Sequence, residues 1–169
     1  MRLNIYFATT CLLAATIGFS QEYTIRELPN IGAYDLNDEG YVVGVGVGSR
    51  PVLVTPQNQV IYLPLLPGGS TGVARGINSA AMAAGEGYAP STRNRALLWP
   101  TPNSVVNLGV LPGGHNSFGS YGWAINDLGH VTGQSGRASG EHGFFWSPET
   151  GMLDVGAFNP SLSLSYGRD

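Results

Sequence analysis

The sequence predicts an all-β protein of tandem four-stranded antiparallel repeats set in an incomplete β-propeller-like arc, and three observations predict it. A pattern of short blocks recurs every 41 to 48 residues. The apolar runs are brief and alternate with turn signals. Twenty-five glycines and eleven prolines accompany only 11 % charged residues, a composition that suits many short strands and tight turns. A disordered chain would carry fewer apolar residues and more charge. A β-solenoid or a packed sandwich is the alternative arrangement, because a sequence period fixes the unit better than the way units stack.

In chain order the first element is a leader. Met1-Arg2 is a short positive start, and Leu3 to Phe19 is mostly apolar but too short to span a bilayer comfortably. Gly18 and Ser20 flank Phe19 in the small-x-small pattern of a cleavage site, which places the cut between Ser20 and Gln21. Residues 1–20 are therefore read as a signal peptide and residues 21–169 as the repeat domain, released to the extracellular space or the periplasm. Cys11 is the sole cysteine and leaves with the leader. A disulfide scaffold, a thiolate metal site and a cysteine nucleophile are thereby excluded for the mature chain.

The repeat follows. Three segments align on an Ile/Leu-Asn corner with a glycine seven residues beyond the Asn: Leu36-Asn37 up to Gly44, Ile77-Asn78 up to Gly85, and Ile125-Asn126 up to Gly133. An apolar block comes next in each copy, as Pro51-Val52-Leu53-Val54, Ala96-Leu97-Leu98-Trp99 and Gly143-Phe144-Phe145-Trp146. Leu63, Leu108 and Val155 stand nine residues after those blocks, and Leu66-Pro67-Gly68-Gly69 and Leu111-Pro112-Gly113-Gly114 separate the copies. The repeats span about 23–65, 66–110 and 111–157. Ser165-Tyr166-Gly167 matches Ser120-Tyr121-Gly122, so residues 158–169 open a truncated fourth repeat, and the chain is expected to be the N-terminal fragment of a longer parent.

Each block has a physical task. In Asn126-Asp127-Leu128-Gly129 the Asn and Asp can bond the backbone two residues on and the Gly can close a hairpin, so the corner is a turn between the first two strands. Val42, Ala83 and Val131 then occupy one apolar position, which period two assigns to a buried face. Gly44, Gly85 and Gly133 follow on that same face, where the lack of a side chain suits close approach of another backbone. The third strand is apolar on both faces and is expected between layers. After Trp99 and Trp146 come Pro-containing turns, which disfavour a helix. Val105 to Leu108 and Met152 to Val155 read as the final strand. Four short strands in about 45 residues match one propeller blade.

The ordered set Leu111-Pro112-Gly113-Gly114, Ala124-Ile125-Asn126-Asp127-Leu128-Gly129-His130-Val131-Thr132-Gly133, His142-Gly143-Phe144-Phe145-Trp146 and Gly151-Met152-Leu153-Asp154-Val155-Gly156 resembles the HAF-type extracellular repeat of exported bacterial proteins, and the likeness runs from Tyr23 to the end. The triplet that names that family is here His142-Gly143-Phe144, Arg95-Ala96-Leu97 and Arg50-Pro51-Val52, so a role for its His does not carry to the two earlier copies. The resemblance implies export and a propeller-like array, and no particular chemistry.

Chemistry-bearing patterns are sparse. Asp35, Asn37, Glu39 and Gly40 imitate the start of a Ca²⁺ loop but lack an acid at the twelfth position, Gly46, and read as a turn. His115, His130 and His142 lie in different contexts with no zinc spacing. Gly133-Gln134-Ser135-Gly136 misses a nucleophile elbow by one residue, and Gly44, Gly46 and Gly48 precede no helix and make no phosphate cradle. No catalytic residue, metal ligand or cofactor is assigned. The variable segments Glu86 to Arg95 and Gln134 to His142 are expected to be rim loops, with Tyr88, Arg93, Arg95, Arg137, Glu141 and His142 as candidate binding residues.

Without its leader the chain holds seven arginines against eleven acids and no lysine, so nucleic acid and anionic membranes are poor partners. The expected function is a secreted, non-enzymatic repeat protein, a surface scaffold or a binder of a protein or glycan ligand. The alternative is part of a propeller-type enzyme such as a glycosidase or lyase, with acids gathered at the ring's mouth from several blades. Only Asp154, with Asn107 and Tyr62 in its place elsewhere, recurs as a polar strand position.

Overall fold

The computed structural model describes residues 25–89, 93–114, 119–137 and 140–156. The expected leader, His115 and the expected fourth repeat lie outside the described residues. Among the described residues twelve strands run in chain order: β1 (Gly32–Leu36), β2 (Val42–Gly46), β3 (Arg50–Val54), β4 (Val60–Tyr62), β5 (Thr71–Ile77), β6 (Ala83–Ala89), β7 (Arg93–Thr101), β8 (Ser104–Gly109), β9 (Ser120–Ile125), β10 (Val131–Arg137), β11 (Gly140–Ser147) and β12 (Gly151–Gly156). They form three four-stranded antiparallel sheets, β1-β2-β3-β4, β5-β6-β7-β8 and β9-β10-β11-β12, each a simple meander. The protein is all-β, and among the described residues there is no helix.

The sheets stack face to face. β5 lies against β1, β2 and β3 of the first sheet, and β9 lies against β5, β6 and β7 of the second. The first strand of each sheet is thus tucked onto its predecessor, while β8 and β12 meet at the opposite edge. This is the propeller-like arrangement in which each unit buries its faces against its neighbours. Val43, Leu53, Leu63 and Leu66 pack on Ala74, Ile77, Ala83, Leu97 and Trp99 between the first two sheets. Ala84, Ala96, Leu98, Leu108 and Leu111 pack on Val131, Phe144 and Met152 between the second and third.

The predicted face is observed, since Val42, Ala83 and Val131 are 6 %, 1 % and 0 % exposed. Its reverse is also closed in the first two units, where Val43 and Ala84 are fully buried. The glycine at the end of this strand meets another backbone. A Cβ on Gly44, Gly85 or Gly133 would stand 2.1, 2.0 or 1.9 Å from the carbonyl oxygen of Gly32, Val73 or Tyr121. In each case that carbonyl belongs to the neighbouring first strand, where a register shift presses it inward. The linker turns match their sequence: Gly69 N donates to Leu66 O and Gly114 N to Leu111 O, closing Pro-Gly turns around left-handed Gly68 and Gly113.

One expectation is corrected. The segments Glu86 to Arg95 and Gln134 to His142 are largely strand rather than loop, because β6 pairs with β7 through Gly87↔Arg95, Tyr88↔Asn94 and Ala89↔Arg93, and β10 with β11 through Ser135↔His142, Gly136↔Glu141 and Arg137↔Gly140. Their polar residues belong to hydrogen-bonded hairpins that rise past the apolar layer.

Candidate binding rim

The two ends of the stack are built differently. At the corner end the Asn37 and Asn78 side chains each fasten their own turn and then the next unit. Asn37 Oδ1 accepts from Tyr41 N at 2.9 Å, and Asn37 Nδ2 donates to Asn78 O at 2.9 Å. Asn78 repeats both bonds, to Met82 N at 2.9 Å and Asn126 O at 3.0 Å. Asp35 accepts from Ile77 N, and Asp127 accepts from both Ser79 N and Ser79 Oγ, bonds that hold the Asp127 carboxyl below its ordinary pKa. A groove of about 390 Å³ runs along these corners. Most of its polar lining is committed to bonds within the protein, and Asp35 and Asn37, which imitate an ion loop in sequence, serve here as turn and inter-unit ties.

Along the first strands, Arg75 lies between Tyr34 and Trp123, with its guanidinium 5.0 and 4.5 Å from the two ring centroids. Its Nε and Nη2 grip Glu86 at 2.6 to 3.0 Å. Burial opposes the Arg75 charge, but the bonds and charge of Glu86 outweigh it and raise the Arg75 pKa. Burial also pushes the Glu86 carboxyl upward against the pull of Arg75. Sequence reasoning passed over this cluster. Its signal was present, since Tyr34, Arg75 and Trp123 stand at one repeat position, 41 and 48 residues apart.

The opposite end carries the predicted candidates. Tyr88 is 40 % exposed, and with Arg93, Asn94 and Tyr121 it lines a recess of about 250 Å³ between the second and third units. Tyr88 and Asn94 also line a second recess of about 190 Å³, together with Ser49, Thr71 and Glu86. The β6–β7 pairing sets Tyr88 opposite Asn94, and β9 supplies Tyr121 from the next sheet. Arg93 is exposed, with a left-handed backbone at φ 58°. The side-chain polar groups of Tyr88, Arg93, Asn94 and Tyr121 carry no hydrogen bond or ion pair among the described residues.

Arg95 differs. It is 2 % exposed, its Nη1 donates to Asn94 O at 2.9 Å, and burial lowers its pKa. It supports the hairpin from inside. Arg137 and His142 converge instead on Asp154 of β12, Arg137 through an ion pair and His142 Nδ1 at 3.1 Å from both carboxylate oxygens. Partial burial would raise the Asp154 pKa, yet the Gly156 N–H, His142 and Arg137 together hold it below the ordinary value. Glu141 accepts from Gln134 Nε2 at 3.4 Å. The structure therefore brings Tyr88 and Arg93 together and places Arg137, Glu141 and His142 on the third sheet, bonded to partners there.

Chemically the rim recess offers two aromatic faces, an amide and a guanidinium. It has no carboxylate of its own except Glu86 in the adjoining recess, which Arg75 clamps, so the paired carboxylates of glycoside hydrolysis are not assembled from its lining. Comparison with family models, curated proteins and solved structures finds no match to this chain. The fold defines the class: an all-β protein of stacked four-stranded sheets.

Proposed function

We propose that the chain is an exported, non-enzymatic repeat protein, of the kind its HAF-like blocks resemble, which binds a protein or glycan ligand through the rim opposite its Asn corners. One observation carries this reading: four side chains with uncommitted polar groups converge on a recess whose walls are paired strands. Rigid elements hold binding groups more accurately than free loops do. The acidic, lysine-free composition favours neither nucleic acid nor anionic membrane. The test is to present the full chain, recovered from culture medium, to panels of glycans and proteins. The expected result is retention without turnover. Release of sugar products would favour the enzyme alternative, and an N-terminus other than Gln21 on the recovered chain would contradict the placed cleavage.

A further inference from the structure

We infer that the rim recess selects a carboxylate-bearing glycan, a chain containing uronic acid or a similar acidic sugar, with Arg93 as the group that reads the charge. The inference rests on the binding role proposed above and names its ligand class. Three observations support it. Tyr88 and Tyr121 enter the recess from different sheets, and a tyrosine joins an apolar face that can lie on a sugar ring to a hydroxyl that can bond its rim. Asn94 adds an amide able to donate and accept at once. Arg93 brings a cation with no acidic partner among the described residues, and its planar fork matches a carboxylate.

The surroundings sharpen the choice. Of the other cations near this rim, Arg95 is buried, Arg75 is bound to Glu86, Arg137 is paired with Asp154, and Arg50 lies over the Tyr62 ring outside the recess lining. A recess lined by one guanidinium, in a chain of net charge −3, would recognise a single carboxylate at a fixed place rather than gather polyanions. An acidic peptide with several charges would need more cations than the recess supplies. The two recesses, of about 190 and 250 Å³, are each smaller than the roughly 300–1,000 Å³ typical of small-molecule pockets. They adjoin through Tyr88 and Asn94, a form suited to consecutive small rings along a chain.

The experiment titrates the full chain with oligogalacturonate and with the same oligosaccharide fully methyl-esterified, which keeps the rings and removes the charge. The acid form should bind about tenfold tighter, the scale of one charge-assisted hydrogen bond, and Arg93→Gln should erase that difference. Tyr88→Ala and Tyr121→Ala should weaken both forms, with folding checked by circular dichroism. Equal binding of the two forms would overturn the acid selectivity and leave a glycan-binding rim standing. Binding of an Asp/Glu-rich peptide with neither sugar would overturn the glycan assignment and leave a protein-binding rim. An acid preference that survives Arg93→Gln would remove Arg93 from the role, and no binding to any of the three probes would overturn the inference entirely.

Discussion

The corner end and the rim end of these sheets are made of similar polar residues, yet they do opposite things with them. At the corners Asn37, Asn78, Asp35 and Asp127 bond the backbone of the neighbouring unit. At the rim the side-chain polar groups of Tyr88, Arg93, Asn94 and Tyr121 make no hydrogen bond or ion pair among the described residues. The larger recess is the one at the corners, and its chemistry is the more fully occupied. Size alone would point to the corner end, where the polar groups are already bonded. Residual hydrogen-bonding capacity, rather than volume, marks a surface free to take a ligand.

Mutations should separate the two ends. The largest effect belongs to Trp99, which is 1 % exposed and donates from Nε1 to Pro64 O at 2.8 Å. It sits in the layer that supports both ends, so Trp99→Ala should cost about 3–5 kcal/mol and abolish order at corner and rim together in a denaturant titration. Next comes Asn78, 4 % exposed. Asn78→Ala strands Met82 N and leaves Asn126 O with the Gly129 N–H alone, at a cost of about 1–3 kcal/mol. The fraction that stays folded should bind as the wild type does. If Asn78→Ala instead destroyed binding at full foldedness, the division between the ends would fail. Arg93→Gln should show the reverse pattern, with stability within about 0.5 kcal/mol of wild type.

A smaller effect should appear in acid. The folded pKa of Asp154 is depressed, so its ionised form stabilises the sheet above the unfolded value of about 4 and that contribution is lost as pH falls through the folded value. Hydrogen exchange across β11 and β12 should therefore accelerate below about pH 4 in the wild type, and Asp154→Asn should flatten that dependence. The smallest effect concerns Ala81, which holds φ 57° at the corner where the other units have Gly40 and Gly129. Ala81→Gly should raise stability slightly, by about 0.5 kcal/mol, since relief of left-handed strain is partly offset by added unfolded-state entropy. A lower thermal midpoint would contradict that balance.

The strands and turns were legible because their signals are local. Asn at a corner, Pro-Gly in a linker and alternating Val or Ala each act within a few residues. The cross-unit bonds were not legible, because Asn37 and Asn78 are 41 residues apart and only stacking brings the amide of one to the carbonyl of the other. The rim was half legible. Tyr88 and Arg93 were singled out, but Asn94 and Tyr121 join them only through strand pairing and the approach of a second sheet. Arg95 looked equally exposed in sequence, but it stands two residues further along β7 than Arg93, where the strand has entered the buried layer. The Arg75 and Glu86 clamp depends on pairing across β5 and β6, which no window of sequence displays.

The amide bonds at the corners have a direction. Asn37 donates forward to unit two, and Asn78 donates forward to unit three, so the middle sheet offers an acceptor on the side it presents to its predecessor and a donor on the side it presents to its successor. A head-to-tail joint of this kind works for any number of modules and closes into a ring only when the rotation per module divides a full circle. The same two-ended connector would serve in an array of any length, so such a gene could gain or lose a module by duplication or deletion without needing a new joint.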